Sequence, residues 1–128
     1  MVVPKYGRQD TGEEESSGKI TKKEKRRRRS AIITERAKIL KPLEERIVRV
    51  ENDIETHEEE LNELNDAMLE ASQAHDGKSI VKISQSIQNC QSAIDRLFNE
   101  LEEITSTLNE QAAVFQKRLD QLDRPGDF

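Results

Sequence analysis

The sequence has no tryptophan, a single cysteine, and aromatic residues at only 3% of its 128 positions. Hydrophobic residues make up 33% and charged residues 37%, against roughly half and a quarter in an ordinary globular domain. That shortage excludes a thick compact core, and with it a cleft enclosed by packed apolar layers. Cys90 stands alone, so neither an intrachain disulfide nor a Cys-rich zinc site can be built. No apolar run approaches the roughly 18–20 residues needed to span a bilayer. The amino terminus carries Pro4, Gly7, Gly12 and Gly18 and lacks the apolar stretch of a signal peptide, so a cytoplasmic location is expected.

Glycine and proline are also scarce, and where they fall sets the expected layout. Residues 1–18 read as a flexible linker and residues 123–128, with Pro125 and Gly126, as a flexible tail. Between them lie only Pro42 and Gly77. Since these two residues interrupt helices most strongly, the chain reads as long helices broken near 75 and disturbed near 42.

Apolar side chains recur at alternating spacings of three and four. One run goes from Leu40 through Leu43, Ile47, Val50, Ile54, His57, Leu61, Leu64 and Met68 to Ala71. A second goes from Ile80 through Ile83, Ile87, Cys90, Ile94, Leu97, Leu101 and Ile104 to Leu108. Each covers about four heptads, enough for a coiled-coil assignment. In antiparallel pairing Ala71 faces Ile80, Leu64 faces Ile87 and Leu43 faces Leu108 without a slip. The short segment 74–79 makes the turn, with Gly77 suited to a left-handed helix stop. The fold class expected is all-α: an antiparallel two-helix coiled-coil hairpin over residues 42–122. A shorter basic helix, residues 19–41, is expected to end before Pro42 and pack on the end of the last helix. There Ile33 would face Leu119 and Ala37 would face Phe115.

The net charge of −5 conceals a division. Residues 19–41 carry a net +9, whereas residues 43–76 carry twelve acids against Arg46 and Arg49. Within the basic segment, Lys22, Lys23, Lys25, Arg26, Arg27, Arg28 and Arg29 fall within two helical turns, and Arg36 follows. So many cations cannot all point one way, and phosphate backbones are their commonest partner. No aromatic lies between Tyr6 and Phe98, so contact would be with backbone and shape, without stacking on bases. The competing reading is a solvated helix start beside Glu13, Glu14 and Glu15.

Little else carries chemistry. His57 at a d position reads as a polar core residue that sets register, and Cys90 as a small buried apolar side chain. His57 and His75 show no metal-ligand spacing, and Glu58, Glu59 and Glu60 fall on a solvated face. No phosphate-binding glycine loop, H-E-x-x-H pattern or nucleophile elbow occurs. Neither catalysis, nor a bound metal, nor a cofactor is expected.

The basic start Lys22–Arg29, a helix with Glu35 and Arg36, and the run Leu40-Lys41-Pro42-Leu43, Ile47, Val50-Glu51 and Ile54 lead into an acidic helix, a short turn and a returning helix. This order resembles the carboxy-terminal coiled-coil extension of bacterial ABC-F proteins, the soluble tandem-ATPase branch of the ABC family. The resemblance covers about residues 19–122. It implies an accessory domain of an ATPase that acts on the ribosome in translation and in some members binds DNA. ATP would then bind upstream cassettes, and the partners would be ribosomal RNA, tRNA or a DNA backbone. The alternative is a coiled-coil scaffold for another protein. The same heptads would also pair between two chains as a homodimer if the turn at Asp76-Gly77 opened.

Overall fold

The computed structural model describes residues 20–124, so the linker expected at 1–18 and all but Asp123 and Arg124 of the tail expected at 123–128 lie outside the described residues. Those residues form two helices and no strand: α1, Lys22–Gln73, and α2, Gly77–Asp123. They make a helical hairpin. Neither helix is long and apolar enough to cross a membrane.

The start of α1 follows from a local signal, Thr21-Lys-Lys-Glu24. Thr21 Oγ1 accepts a hydrogen bond from the Glu24 amide at 3.0 Å, which satisfies one of the amides that a helix start leaves without a partner. The helix then runs through Pro42 without a break. A separate basic helix ending at residue 41 is therefore corrected to a single α1. Proline costs roughly 3 kcal/mol in a helix interior, through the lost N–H and the ring's clash with the preceding turn. Pro42 itself is exposed, while buried Leu40 and half-buried Leu43 anchor the helix on either side of it. Their packing outweighs a penalty confined to one turn.

The connection needs only Ala74, His75 and Asp76. The Asp76 amide donates to the Ala71 carbonyl at 3.0 Å and the His75 amide to the Ser72 carbonyl at 3.2 Å. This is a Schellman closure, and its left-handed residue is His75, at φ 55°. The left-handed stop expected at Gly77 is thus corrected to His75. Gly77 opens α2 instead, because Asp76 directly before it caps that helix. Asp76 Oδ1 accepts the Ser79 amide at 3.2 Å, and Oδ2 accepts the Ser79 hydroxyl at 2.7 Å. One residue both completes the end of α1 and starts α2.

The described residues divide into two compact units, 40–110 and 20–39 with 111–124. In the first, every position of the three-four stripes from Leu40 to Ala71 and from Ile80 to Leu108 is buried or half-buried. Val50, Ile54, Leu97 and Ile104 form its core, with Leu43, Ile47 and Leu101 packed against them. Burying each such side chain contributes about 1.5–3 kcal/mol. Arg46 and Glu100 pair across the two helices on the exposed rim, 3.7 Å apart.

In the second unit Ile32, Phe115 and Leu119 are buried together, with Leu122 packed against them. The expected facing of Ile33 on Leu119 and of Ala37 on Phe115 is corrected here. Ile33 is 47% exposed and Ala37 is exposed, while Ile32 is buried. Counting back from Leu40, two steps of four reach buried Ile32, with exposed Arg36 between them, and the spacing does not shorten to three. The returning helix takes the same two fours, from Ile104 through Leu108 to Ala112. Insertions of four shift the apolar stripe around a helix, which is why the neighbouring isoleucine is the one buried.

Candidate nucleic-acid interface

The eight cations singled out in the sequence all lie on α1, and the structure sorts them by environment. Lys22, Lys23, Arg26, Arg27, Arg28 and Arg36 are exposed, whereas Lys25 and Arg29 are half-buried. Residues 25, 29 and 32 follow one another at steps of four and three, so Lys25 and Arg29 continue the stripe that buries Ile32. Arg29 forms an ion pair with Asp123 at the end of α2. That guanidinium holds the Asp123 carboxyl below its usual value, with a smaller contribution from Lys25. Arg118 on α2 pairs with Glu35 at 3.1 Å, and its guanidinium also lies 5.3 Å from the centre of the Phe115 ring. The small core is thus flanked by charge pairs between α1 and α2.

Two exposed arginines are partly occupied within their own helix. Glu24 accepts from Arg27 at 3.5 Å and from Arg28 at 3.3 Å. Lys22, Lys23, Arg26 and Arg36 have no ion pair among the described residues. A shallow groove along the exposed side of α1 is lined by Arg27, Ser30, Ala31, Thr34, Glu35 and Lys38. It offers two cations and two hydroxyls, the donor types that most often meet phosphate oxygens. Sequence reasoning treated the run as one block. The division into fold-holding Arg29 and outward Lys22, Lys23 and Arg26 needed the position of Asp123.

A second cluster lies in the unit of residues 40–110. His57, half-buried at a d position, brings Nδ1 to 3.2 Å from Glu60 Oε1. Cys90 of α2 is buried, donates its thiol proton to the His57 carbonyl at 3.0 Å, and sits 3.9 Å from the same Glu60 oxygen. Burial pushes the Cys90 thiol up from its usual value, and the Glu60 carboxylate adds to the shift. Glu60 is solvent-exposed as expected, but its carboxylate turns back over the seam. The signal that would have found this is the i,i+3 pair His57 and Glu60, one turn from Cys90 in the antiparallel register.

At the tip, Asp76 is held below the usual carboxylate value by the Ser79 hydroxyl and amide. This is what a helix cap requires. Compared with known proteins, the chain matches no family model, no curated protein and no solved structure.

Proposed function

We propose that this chain is a non-catalytic accessory module that binds nucleic acid or ribosome through the phosphate backbone. The antiparallel pairing of its heptads supplies a rigid support, and the start of α1 supplies the contact. One observation carries the reading: Lys22, Lys23 and Arg26 are exposed and hold no ion pair among the described residues, while Arg29 is engaged with Asp123. Unpaired cations on a helix have no intramolecular gain to surrender on meeting a phosphate. Likeness of the residue order to the ABC-F extension supports ribosomal RNA, tRNA or a DNA backbone as the partner, and a cytoplasmic module.

The test is a titration of structured RNA and of duplex DNA, followed by fluorescence anisotropy at increasing salt. The logarithm of the binding constant should fall linearly with the logarithm of salt concentration. Each contact removed by Lys22→Gln, Lys23→Gln or Arg26→Gln should lower that slope by about one. Arg29→Gln should change the slope less than Arg26→Gln. Salt-insensitive binding, or binding that survives the triple substitution, would sink the reading.

A scaffold for a protein partner is the second reading, favoured by the exposed Ile39, Val48, Leu69, Val81, Phe98 and Val114. A stable homodimer or protein complex with no nucleic-acid affinity would support it instead.

A further inference from the structure

We propose that His57 Nδ1, Glu60 Oε1 and Cys90 Sγ bind one divalent cation of the zinc class between α1 and α2. The basic end takes no part in this site. It rests on three donors of different chemistry whose ligating atoms all lie within 4.8 Å of one another. Around a tetrahedral Zn2+ with Zn–N and Zn–O near 2.0–2.1 Å and Zn–S near 2.3 Å, donors stand about 3.3 Å apart for N and O and about 3.6 Å for S and O. The corresponding separations here are 3.2 Å for His57 and Glu60 and 3.9 Å for Cys90 and Glu60. Closing the site calls for shifts of roughly 0.3 Å or less in those two separations and of up to about 1.2 Å between the His57 nitrogen and the Cys90 sulfur, which lie within 4.8 Å, a movement within reach of rotatable imidazole and glutamate side chains.

The donor set selects the ion. Thiolate and imidazole disfavour Ca2+ and Mg2+, which take oxygen ligands, and suit Zn2+ and its spectroscopic stand-in Co2+. Burial also grades across the cluster: Cys90 is 5% exposed, whereas the side chains of His57 and Glu60 are 34% and 56% exposed. The sulfur would lie inside and the carboxylate outside. Ser86, Asn89 and Ala93 line the same cleft, and with three protein ligands water would take the fourth position. The chemical balance is simple. The Cys90 S–H bond breaks, its proton leaves to solvent, the hydrogen bond to the His57 carbonyl is given up, and a metal–sulfur bond forms. No electron changes hands. Two ligands come from α1 and one from α2, so the ion would cross-link the hairpin about 30 residues apart in sequence.

Titrating the full chain, reduced and metal-free, with Co2+ tests this. A thiolate-to-cobalt charge-transfer band should rise and saturate at one ion per chain, and Zn2+ should displace it. Cys90→Ser should abolish the band. His57→Gln and Glu60→Gln should each weaken binding by on the order of tenfold or more, and His75→Gln should leave it unchanged. Zn2+, unlike Mg2+, should raise the thermal midpoint of the wild type and not of Cys90→Ser. Glu60 is exposed and His57 only half-buried, so their variants keep the test decisive if Cys90→Ser fails to fold. Absence of the band would overturn the proposal, as would a band that persists unchanged in both His57→Gln and Glu60→Gln.

Discussion

Residues 40–110 and the paired segments of the other unit bury apolar surface in different ways. In the first, both helices contribute alike: Val50 and Ile54 from α1 meet Leu97 and Ile104 from α2, within stripes that continue for the length of the unit. In the second, α1 gives one buried side chain, Ile32, against Phe115 and Leu119. Leu122 packs against them, and charge pairs also join the two segments: Arg29 with Asp123 and Arg118 with Glu35. Stability in the long stripe is shared over many small terms. Around Ile32 it rests on very few, and the neighbouring surface carries cations that hold no ion pair among the described residues. Lys22, Lys23 and Arg26 are exposed beside that narrow core and add nothing to it.

Truncating the central residue of each core tests this contrast most strongly. Phe115→Ala should cost about 3–5 kcal/mol and Ile104→Ala about 2–5 kcal/mol. The expected difference lies in where each loss is felt. Hydrogen exchange should show Phe115→Ala stripping protection from residues 25–36 and 112–122 while residues 47–64 keep theirs. Ile104→Ala should lower protection in 47–64. Identical exchange patterns for the two variants would erase the distinction.

Next in size is the turn. His75 holds a left-handed backbone that costs a residue with a Cβ roughly 1–2 kcal/mol. His75→Gly should therefore raise stability by up to about 1 kcal/mol in chemical denaturation, after the greater freedom of glycine in the unfolded chain is set against it. A loss on this substitution would mean that the imidazole makes a contribution of its own.

Smaller still are the charge pairs. Glu35→Gln should cost about 0.2–1 kcal/mol at low salt and less at high salt, because both partners are largely solvated. Arg118→Gln should cost more than Glu35→Gln, since it also uncovers the Phe115 ring. Equal losses would remove the cation–ring contact from the account.

The smallest expected effect is on acidification. Asp76 and Asp123 both have folded-state values below the usual carboxylate range. Their contributions are therefore present above about pH 4 and fall away as the pH drops through the depressed values. Asp76→Asn should flatten that part of the acid profile followed by circular dichroism. Asp123→Asn should act on the Arg29 pair and leave the turn unaffected.

Much of the hairpin could be read from spacing, because Leu40 to Ala71 and Ile80 to Leu108 repeat long enough for their phase to be unambiguous. Phase fails where evidence is short. Ile32 and Ile33 are adjacent, both apolar, and either one completes a plausible stripe; only packing against Phe115 and Leu119 chooses Ile32. Pro42 misled for a different reason: its penalty is intrinsic and local, while the burial that overrides it is spread along the helix. Gly77 was the obvious residue for a left-handed stop, yet the need for an acid to cap α2 moved that conformation to His75. The cluster of His57, Glu60 and Cys90 could not emerge from local motifs, since the thiol comes from 33 residues beyond the carbonyl it meets.

The Asp76 cap also bears on the order in which the molecule assembles. Its bonds to Ser79 close a loop of three residues, whereas Arg29 and Asp123 meet across 94. Loop-closure entropy grows with that separation, so contacts beside the turn become favourable before distant ones do. We predict a zipper that starts at the turn and reaches Phe115 late, with φ-values near one for substitutions at Asp76 and near zero at Phe115; the reverse order would refute it. On this route the basic segment is the last part to be fastened and the first to be released.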